Sequence, residues 1–208
     1  MQYTTIVEND VNIFFKPARL IVAGYSGSGK STLVVNIIRK YRENFNRVIV
    51  LGNDLEQSRE LEIERDDTFN PFDENLKGNT LLIFDDIIYN KQLLTLAGEV
   101  FIRSRHYNVS VILVTQNLFL SDKNFRQITL NTTHIIILRN RDERQIITFA
   151  RSFLPNEKLK KFLDLYKKIV TKKRHQYLMV DFTADCDSPL LIRTSIIGEG
   201  YERAFLLE

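Results

Sequence analysis

The chain has 208 residues, of which 44% are hydrophobic and 26% charged, and its formal net charge is only +3. This composition excludes a disordered or fibrous chain and allows one domain with a substantial core. With so small a net charge, any contact with nucleic acid must come from local basic groups rather than from the whole surface.

The sequence gives no sign of export or of membrane insertion. Its single cysteine, Cys186, cannot form an internal disulfide, and its polar start is unlike a signal peptide. No run approaches the roughly 20 apolar residues of a membrane span. We therefore expect an intracellular protein with no membrane contact of its own.

A phosphate-binding motif follows the first predicted strand, Arg19 to Ala23. Residues 24–31 read Gly-Tyr-Ser-Gly-Ser-Gly-Lys-Ser, a complete GxxxxGK[ST] motif, and an amphipathic segment follows from Ser31 to Tyr41. A triphosphate needs closely spaced backbone N–H donors, which a tight turn at a helix N-terminus presents. The predicted nucleotide-binding residues are Gly24, Ser26, Gly27, Ser28, Gly29, Lys30, Ser31 and Thr32.

Three side chains of this loop have distinct expected tasks. Lys30 would place its charge on the β- and γ-phosphates, and the Ser31 hydroxyl would ligate Mg²⁺. Thr32 has an alternative role in capping or packing the first helical turn. A glycine-rich turn with an incidental lysine is the simpler interpretation, but it leaves Ser31 and the flanking strand and helix unexplained.

An acidic pair ends a later strand. After a strand at Arg47 to Leu51 and a charged segment at Leu55 to Lys77, predicted as a short helix and a loop, the strand Thr80 to Phe84 runs into Asp85 and Asp86. Open α/β sheets place their ligands at this end of their strands. We predict that Asp85 holds Mg²⁺ and that Asp86 orients or deprotonates the attacking water. A strand that ends in a turn-capping Asp is the structural alternative.

Two arginines close the next predicted helix, Lys91 to His106. Residues two apart point to opposite sides of a helix, so Arg103 and Arg105 cannot share a task. One is expected to bind within its own subunit, and the other faces outward as a candidate arginine finger for a neighbouring subunit. The alternative is a solvated basic face at a helix C-terminus.

The strand Val109 to Thr115 ends in Gln116, whose amide can contact both a γ-phosphate and water; a solvated turn residue is the alternative. The remaining signals alternate strands with amphipathic segments, which indicates an α/β fold with a mostly parallel sheet and helices on both faces. They are a strand at 134–138, helices at 142–153 and 156–169, and strands at 176–182 and 190–195, predicted as an edge hairpin around 185–189.

With these motifs in view, the chain resembles the FtsK/HerA superfamily of DNA-pumping ATPases. The residues that carry the likeness are Gly24 to Ser31, Leu81 to Asp86, and the segment SRHYNVSVILVTQ from Ser104 to Gln116. It is most similar to the viral genome-packaging branch found in poxviruses, other large DNA viruses, polintons and adintoviruses. The likeness covers roughly residues 15–155, which we take as the ATPase core of a single domain over 1–208, with a helix and strand-hairpin extension at 156–208.

The resemblance implies a RecA-like, ASCE-type P-loop NTPase fold that uses ATP and Mg²⁺. It assigns Arg105 as the trans-acting arginine and Gln116 as the sensor at the γ-phosphate. Cellular members usually carry Glu where this chain has Asp86, so the shorter side chain weakens the assignment of a base. The resemblance also implies a homo-oligomeric ring, a hexamer or pentamer, around double-stranded DNA, with phosphate contacts from pore loops. Our candidates for those contacts are Lys123 and Arg126, which we expect in a polar loop.

The expected function is an ATP-driven translocase that packages double-stranded DNA into a viral capsid, in the host cell or the virion, docked on a capsid vertex or portal protein. A cellular HerA/FtsK-type translocase is the first alternative. A nucleotide or small-molecule kinase is another, with 55–77 as its only possible lid. A scaffold that binds ATP without turnover is the non-enzymatic alternative, which the combination of Lys30, Asp85 and Gln116 disfavours.

Overall fold

The computed structural model describes residues 5–8, 12–14, 16–53, 55, 59–66, 68–73, 78–171, 175–184, 191–195, 197, 202–205 and 207. The strands are β1 (Thr5–Glu8), β2 (Arg19–Ala23), β3 (Arg47–Gly52), β4 (Glu64–Arg65), β5 (Thr80–Asp85), β6 (Val109–Thr115), β7 (His134–Ile137), β8 (Leu178–Asp181), β9 (Ile192–Thr194) and β10 (Glu202–Phe205). The α-helices are α1 (Lys30–Tyr41), α2 (Lys91–Arg103), α3 (Lys123–Asn131), α4 (Glu143–Arg151) and α5 (Asn156–Val170).

These strands form one sheet in the order β1-β10-β9-β8-β7-β2-β6-β5-β3-β4. The pairs from β7 through β2, β6, β5 and β3 to β4 are parallel, and those from β7 back to β1 are antiparallel. The mostly parallel α/β sheet predicted from the sequence is therefore confirmed. In this order β6 lies between β2 and β5, so the ends of three motif-bearing strands are adjacent.

Helices cover both faces of the sheet because alternate strand residues point to opposite sides. On one face, Leu20 and Val22 of β2 pack in the cluster that contains Leu33 and Ile37 of α1. On the other, Ile21 packs in a cluster built from α2, α3, α4 and α5. This fully buried parallel core explains why the central strands read as continuous apolar runs.

Several sequence predictions need correction. The strands predicted at the C-terminal end do pair, Val180 opposite Ile192, but they are not an edge hairpin, since β10 and β1 extend the sheet beyond β9. The proposed turn at 185–189 lies outside the described residues. In the segment 55–77, the described part contains a 3-10 turn, Arg59–Leu61, and the short strand β4, which pairs with β3 and was not predicted.

Candidate active site

The turn between β2 and α1 has the backbone that the motif requires. Gly27 and Gly29 have φ values of 78° and 96°, in the left-handed region that glycine adopts without strain. A side chain on Gly29 would also collide with the His175 ring. The turn is closed by a hydrogen bond of 3.1 Å from the Ser28 N–H to the Tyr25 carbonyl, so its amides stand at the start of α1.

Lys30 lies at the mouth of this turn. Its Nζ donates to the carbonyl oxygens of Gly24 at 2.8 Å and Tyr25 at 3.1 Å. Burial lowers the pKa of Lys30, and the negative charges of Asp85 and Asp86 oppose that shift. The ammonium is thus held by loop carbonyls within the electrostatic field of the acidic pair.

Asp85 ends β5 with only 8% of its surface exposed. Burial, and secondarily the charge of Asp86, raise the pKa of Asp85 to about 6, while Lys30 opposes the rise. The backbone around it is fixed on one side, where the Asn53 N–H donates to the Asp85 carbonyl at 3.0 Å. A buried carboxylate with so little compensation gains from a nearby cation.

Asp86 departs from strand geometry. Its φ of 51° is left-handed, a conformation that Asp tolerates better than most residues, and its N–H donates to the Val114 carbonyl at 3.3 Å. The chain therefore turns sharply between the two carboxylates while staying tied to the end of β6. Both side chains line the same cleft.

Gln116 follows β6 and is exposed on the cleft. The turn that carries it is held by side chains: the Asn117 N–H donates to Thr115 Oγ1 at 3.2 Å, and the Leu118 N–H donates to Gln145 Oε1 at 2.9 Å. Gln145 belongs to α4, so this helix braces the Gln116 turn.

A cleft of about 400 Å³ joins these groups at the carboxyl ends of β2, β5 and β6. Of the predicted residues, it is lined by Ser26, Gly27, Gly29, Lys30, Ser31, Thr32, Asp85, Asp86 and Gln116. Gly24 and Ser28 are buried beside it, and the Ser28 hydroxyl has no hydrogen-bond partner. The convergence follows from the strand order, which sets the β6 terminus between the phosphate loop and the acidic pair.

Besides Val114 and Thr115 at the end of β6, two lining residues were not predicted from the sequence, Asn53 and His175. Asn53 follows β3 and is the polar residue at that strand's carboxyl end, the same signal that singled out Asp85 and Gln116. His175 lies between α5 and β8, with a left-handed φ of 63°. Its place against Gly29 depends on how the C-terminal segment returns to the sheet, and no local pattern reveals it.

The C-terminal segment also supports the loop indirectly. Tyr166 of α5 is buried, and its hydroxyl accepts from the Asn140 N–H at 2.9 Å and donates to the Leu138 carbonyl at 3.1 Å. In the same turn, the Arg139 carbonyl accepts from the Tyr25 N–H at 3.1 Å. Helix α5 therefore fixes the turn on which the phosphate loop rests.

Arg103 and Arg105 have different surroundings, although the helix predicted to carry both of them ends at Arg103. The Arg103 guanidinium lies 4.1 Å from the Phe72 ring centroid and donates to the Tyr107 hydroxyl at 2.9 Å, so it is engaged within the subunit. Arg105 is exposed on a 3-10 turn after α2, and its Nε donates to His106 Nε2 at 3.3 Å. Arg105 is separated from the cleft by the length of β6.

The prediction of a loop at Lys123 and Arg126 was wrong. Both residues are exposed on α3, which Asp122 caps by accepting from the backbone N–H groups of Asn124 and Phe125. The two basic side chains are therefore presented by the first turn of a short helix. Their assignment to DNA stays a prediction.

Within the described ranges, no group of three or more His, Cys, Asp or Glu residues is placed to hold a metal ion. A metal at the cleft would therefore be held by few protein oxygens, for which Ser31 and Asp85 are available. In the same part of the chain, every helix is too short or too polar to cross a bilayer.

Comparisons with known proteins identify a family and a fold. The model of the viral superfamily 1 RNA helicase core domain matches residues 20–152. No curated protein sequence matches the chain.

Solved structures share the fold. The genome packaging NTPase B204 of Sulfolobus turreted icosahedral virus 2, in complex with AMP, is similar with a TM-score of 0.57 at 18% identity, over 81% of this chain and 95% of that one. ATPases 2 and 3 of EssC from Geobacillus thermodenitrificans give 0.55 at 11% identity, over 92% and 40%. The cytoplasmic domain of the Thermomonospora curvata type VII secretion ATPase EccC gives 0.56 at 12%, over 91% and 25%.

The packaging branch named by the sequence resemblance stays a prediction, whereas the P-loop core is confirmed. The family match covers the phosphate loop, the acidic pair, Gln116 and Arg105. The chain therefore belongs to the viral superfamily 1 RNA helicase core domain family, and it is a P-loop NTPase.

Proposed function

We propose that the chain is an ATP-hydrolysing motor that packages double-stranded viral DNA, working as a homo-oligomeric ring of six or five subunits. The observation that carries the proposal is the convergence of Lys30, Asp85 and Gln116 on one cleft. The similarity of fold to B204, a genome packaging NTPase, supports the choice of task.

In this proposal the cleft binds the triphosphate of ATP. The amides of the turn at 24–29 donate to the phosphates, Lys30 neutralises the β- and γ-phosphates, and Thr32 lies at the rim. Ser31 and Asp85 fit Mg²⁺ because hydroxyl and carboxylate oxygens are the ligands it prefers. When bound, the ion would neutralise charge that develops on the phosphates.

Gln116 and Asp86 then act on the attacking water. Gln116 stands between the phosphate loop and the acidic pair, where its amide can donate to the γ-phosphate and accept from water. Asp86 is next to the metal-binding carboxylate and accepts the proton from water. Its left-handed backbone turns the chain sharply between the two carboxylates.

Arg105 is proposed to act on the nucleotide of an adjoining subunit. Strand β6 has seven residues. At about 3.3 Å per residue it sets the turn that holds Arg105 about 20 Å from the cleft of the same subunit. An exposed arginine at the opposite edge of the sheet can reach a triphosphate only across an interface. Such a finger raises the rate by about 10³ to 10⁵.

DNA would be gripped through its phosphates, with Lys123 and Arg126 on α3 as the contacting cations. A motor of this kind would dock on a vertex or portal protein of the capsid, so the host cell and the virion are its proposed locations. Replacing both Lys123 and Arg126 by neutral residues should weaken binding to all duplex sequences equally and reduce the dependence of the binding affinity on salt concentration.

The test is ATP turnover with and without duplex DNA. The motor proposal expects stimulation by duplex DNA of any sequence, and Lys30→Ala should remove turnover at every DNA concentration. The exposed Lys91→Ala is a matched control, because it also truncates a lysine at the first position of an α-helix. ATP turnover that duplex DNA does not stimulate would count against the motor proposal.

A strand-separating helicase is the second candidate, favoured by the family that matches residues 20–152. It predicts stimulation by single-stranded nucleic acid and release of a labelled strand from a partial duplex. A packaging motor instead displaces a bound triplex strand from duplex DNA without separating the duplex. Assays of both products on one preparation distinguish the two functions.

A further inference from the structure

A second cavity, of about 610 Å³, opens at the edge of the sheet opposite the nucleotide cleft, where β2 and β7 begin. Its lining brings together residues from five separate stretches of the chain. Those that matter here are Lys16, Arg19, Arg105, Thr133, Asp181 and Arg193.

The charge of this cavity is unbalanced. Its described lining contains four cations from Lys and Arg and one carboxylate, Asp181. That carboxylate is already engaged, because it forms an ion pair with Arg193, lies 3.4 Å from His134 Nε2, and accepts from the Thr183 N–H at 2.9 Å. Among the described residues, no carboxylate is within ion-pair distance of the cations of Lys16, Arg19 and Arg105.

Arg19 is the least satisfied of these groups. Its backbone is fixed, since its N–H donates to Thr133 Oγ1 at 2.9 Å, but its side-chain Nε is buried and has no hydrogen-bond partner. Burial, and secondarily the positive charge of Arg105, lower the pKa of Arg19. A buried guanidinium donor beside a second guanidinium is costly without an anion to accept from both.

We propose that this cavity is a binding site for a phosphate group, held by Arg19 and Arg105 with Lys16 at the rim. Phosphate suits the site because its oxygens accept from planar guanidinium forks two at a time. Two sources share this chemistry: inorganic phosphate, and the terminal phosphate of a nucleotide held by an adjoining copy. The second source rests on the proposed function.

The first arm of the test measures the melting temperature of the Lys30→Ala chain with increasing inorganic phosphate, against chloride at matched ionic strength. Lys30→Ala weakens the phosphate loop, so the remaining response reports the second cavity. Saturating phosphate should raise the melting temperature by about 3 °C. Adding Arg19→Gln, or Arg105→Gln at an exposed residue, should abolish the phosphate-dependent rise in melting temperature. Adding Arg151→Gln, also at an exposed residue, should leave that rise unchanged.

The second arm mixes Arg19→Gln chains with Lys30→Ala chains and measures ATP turnover. If the phosphate belongs to an adjoining copy, the mixture recovers turnover that neither variant has alone. Arg19→Lys chains should have less turnover than wild type, because an ammonium group lacks the planar guanidinium fork. A mixture of Arg105→Ala and Lys30→Ala serves as reference. If this reference mixture recovers no turnover but phosphate still raises the melting temperature in the first arm, the active site shared between copies is excluded and the phosphate-binding cavity is retained.

A phosphate shift that depends on Arg19 or Arg105 supports inorganic phosphate as the ligand, and recovery in the Arg19 mixture supports the nucleotide of a neighbour. Should Arg19→Gln fail to fold, Arg105→Gln in the first arm decides. The proposal is overturned if phosphate gives no shift beyond that of chloride and the mixture of Arg19→Gln and Lys30→Ala chains recovers no turnover.

Discussion

Two buried aspartates at opposite edges of the sheet show how differently the fold treats the same side chain. Asp85 ends β5 at the nucleotide cleft, and burial raises its pKa to about 6. Asp181 ends β8 at the other edge. Burial alone would raise its pKa too, but hydrogen bonds and charge from His134, with bonds from Thr183, hold it well below its usual range. One carboxylate lacks partners where a metal and a triphosphate would come, and the other is fully engaged within the protein.

The contrast distinguishes buried charges that stabilise the fold from buried charges that are placed to bind a ligand. Buried ionic groups that hold structure have their partners in place, as Asp181 has Arg193. Groups left uncompensated impose a cost on the native state that a ligand can relieve. Substituting Asp by Asn at each edge should therefore change stability in opposite directions.

Asp85→Asn should cause the largest loss of function. Without the carboxylate to hold Mg²⁺, turnover should fall by about 10³-fold or more. The metal-free variant should nevertheless be more stable than wild type at pH 8, by about 1–2 kcal/mol after allowance for solvent screening.

The pH dependence gives the sign of that effect. The native state keeps the Asp85 proton to a higher pH than the unfolded chain does, so the free energy of unfolding falls as pH rises from 3.8 to about 6. This fall should be smaller in Asp85→Asn. Chemical denaturation at intervals of about half a pH unit between pH 4 and pH 8 measures the free energy of unfolding directly. If its slope against pH is the same in Asp85→Asn as in wild type, the account is contradicted.

Asp181→Asn should destabilise the protein by about 3–5 kcal/mol, because it removes the buried carboxylate that forms an ion pair with the buried Arg193 guanidinium. The exposed Glu99→Gln, which removes a carboxylate from the surface of α2, is the control and should change stability by less than about 0.5 kcal/mol. Urea denaturation of both variants checks this. A loss for Asp181→Asn no larger than that of the control would show that the engaged carboxylate does not stabilise the fold.

Asp86→Asn should separate binding from chemistry at the cleft. Asn adopts the left-handed backbone as readily as Asp, so the turn between the carboxylates should survive. Loss of a general base predicts a fall in kcat of about 10²-fold or more with nucleotide affinity unchanged. Single-turnover kinetics beside a nucleotide-binding titration would check it, and a kcat equal to that of wild type would exclude Asp86 as the base.

Tyr166→Phe should have the smallest effect. It removes the hydroxyl that joins the Leu138 carbonyl and the Asn140 N–H, at a cost of about 1 kcal/mol in stability. Because that turn supports the phosphate loop through Arg139, we expect a modest rise in KM for ATP with little change in kcat. Steady-state kinetics over a range of ATP concentrations measures both.

The nucleotide cleft could be predicted from sequence because each of its parts is a local signal. The loop at 24–31 has a fixed spacing, and Asp85 and Gln116 follow apolar runs that only a buried strand explains. Parallel strands then bring these ends to one edge of the sheet without any knowledge of side-chain contacts. The central strands and α1, α2, α4 and α5 were predictable for the same reason.

The remainder depends on contacts between distant segments. Helix α3 buries only Phe125 and Ile128, too few for a clear period, although Asp122 offered a capping signal. The pairing of β1 with β10, the two-residue strand β4 and the approach of His175 to Gly29 are all set by tertiary structure. The charged cavity at Arg19 was hidden likewise, since its cations come from separate elements.

Turnover per chain as a function of protein concentration, measured together with native mass, tests most directly whether an active NTP site needs residues from two copies. The account predicts that each chain's turnover falls to a basal level as dilution produces monomers, and that Arg105→Ala has that basal level at every concentration. A monomer with the full turnover of the assembly, or an Arg105→Ala assembly as active as wild type, would contradict it.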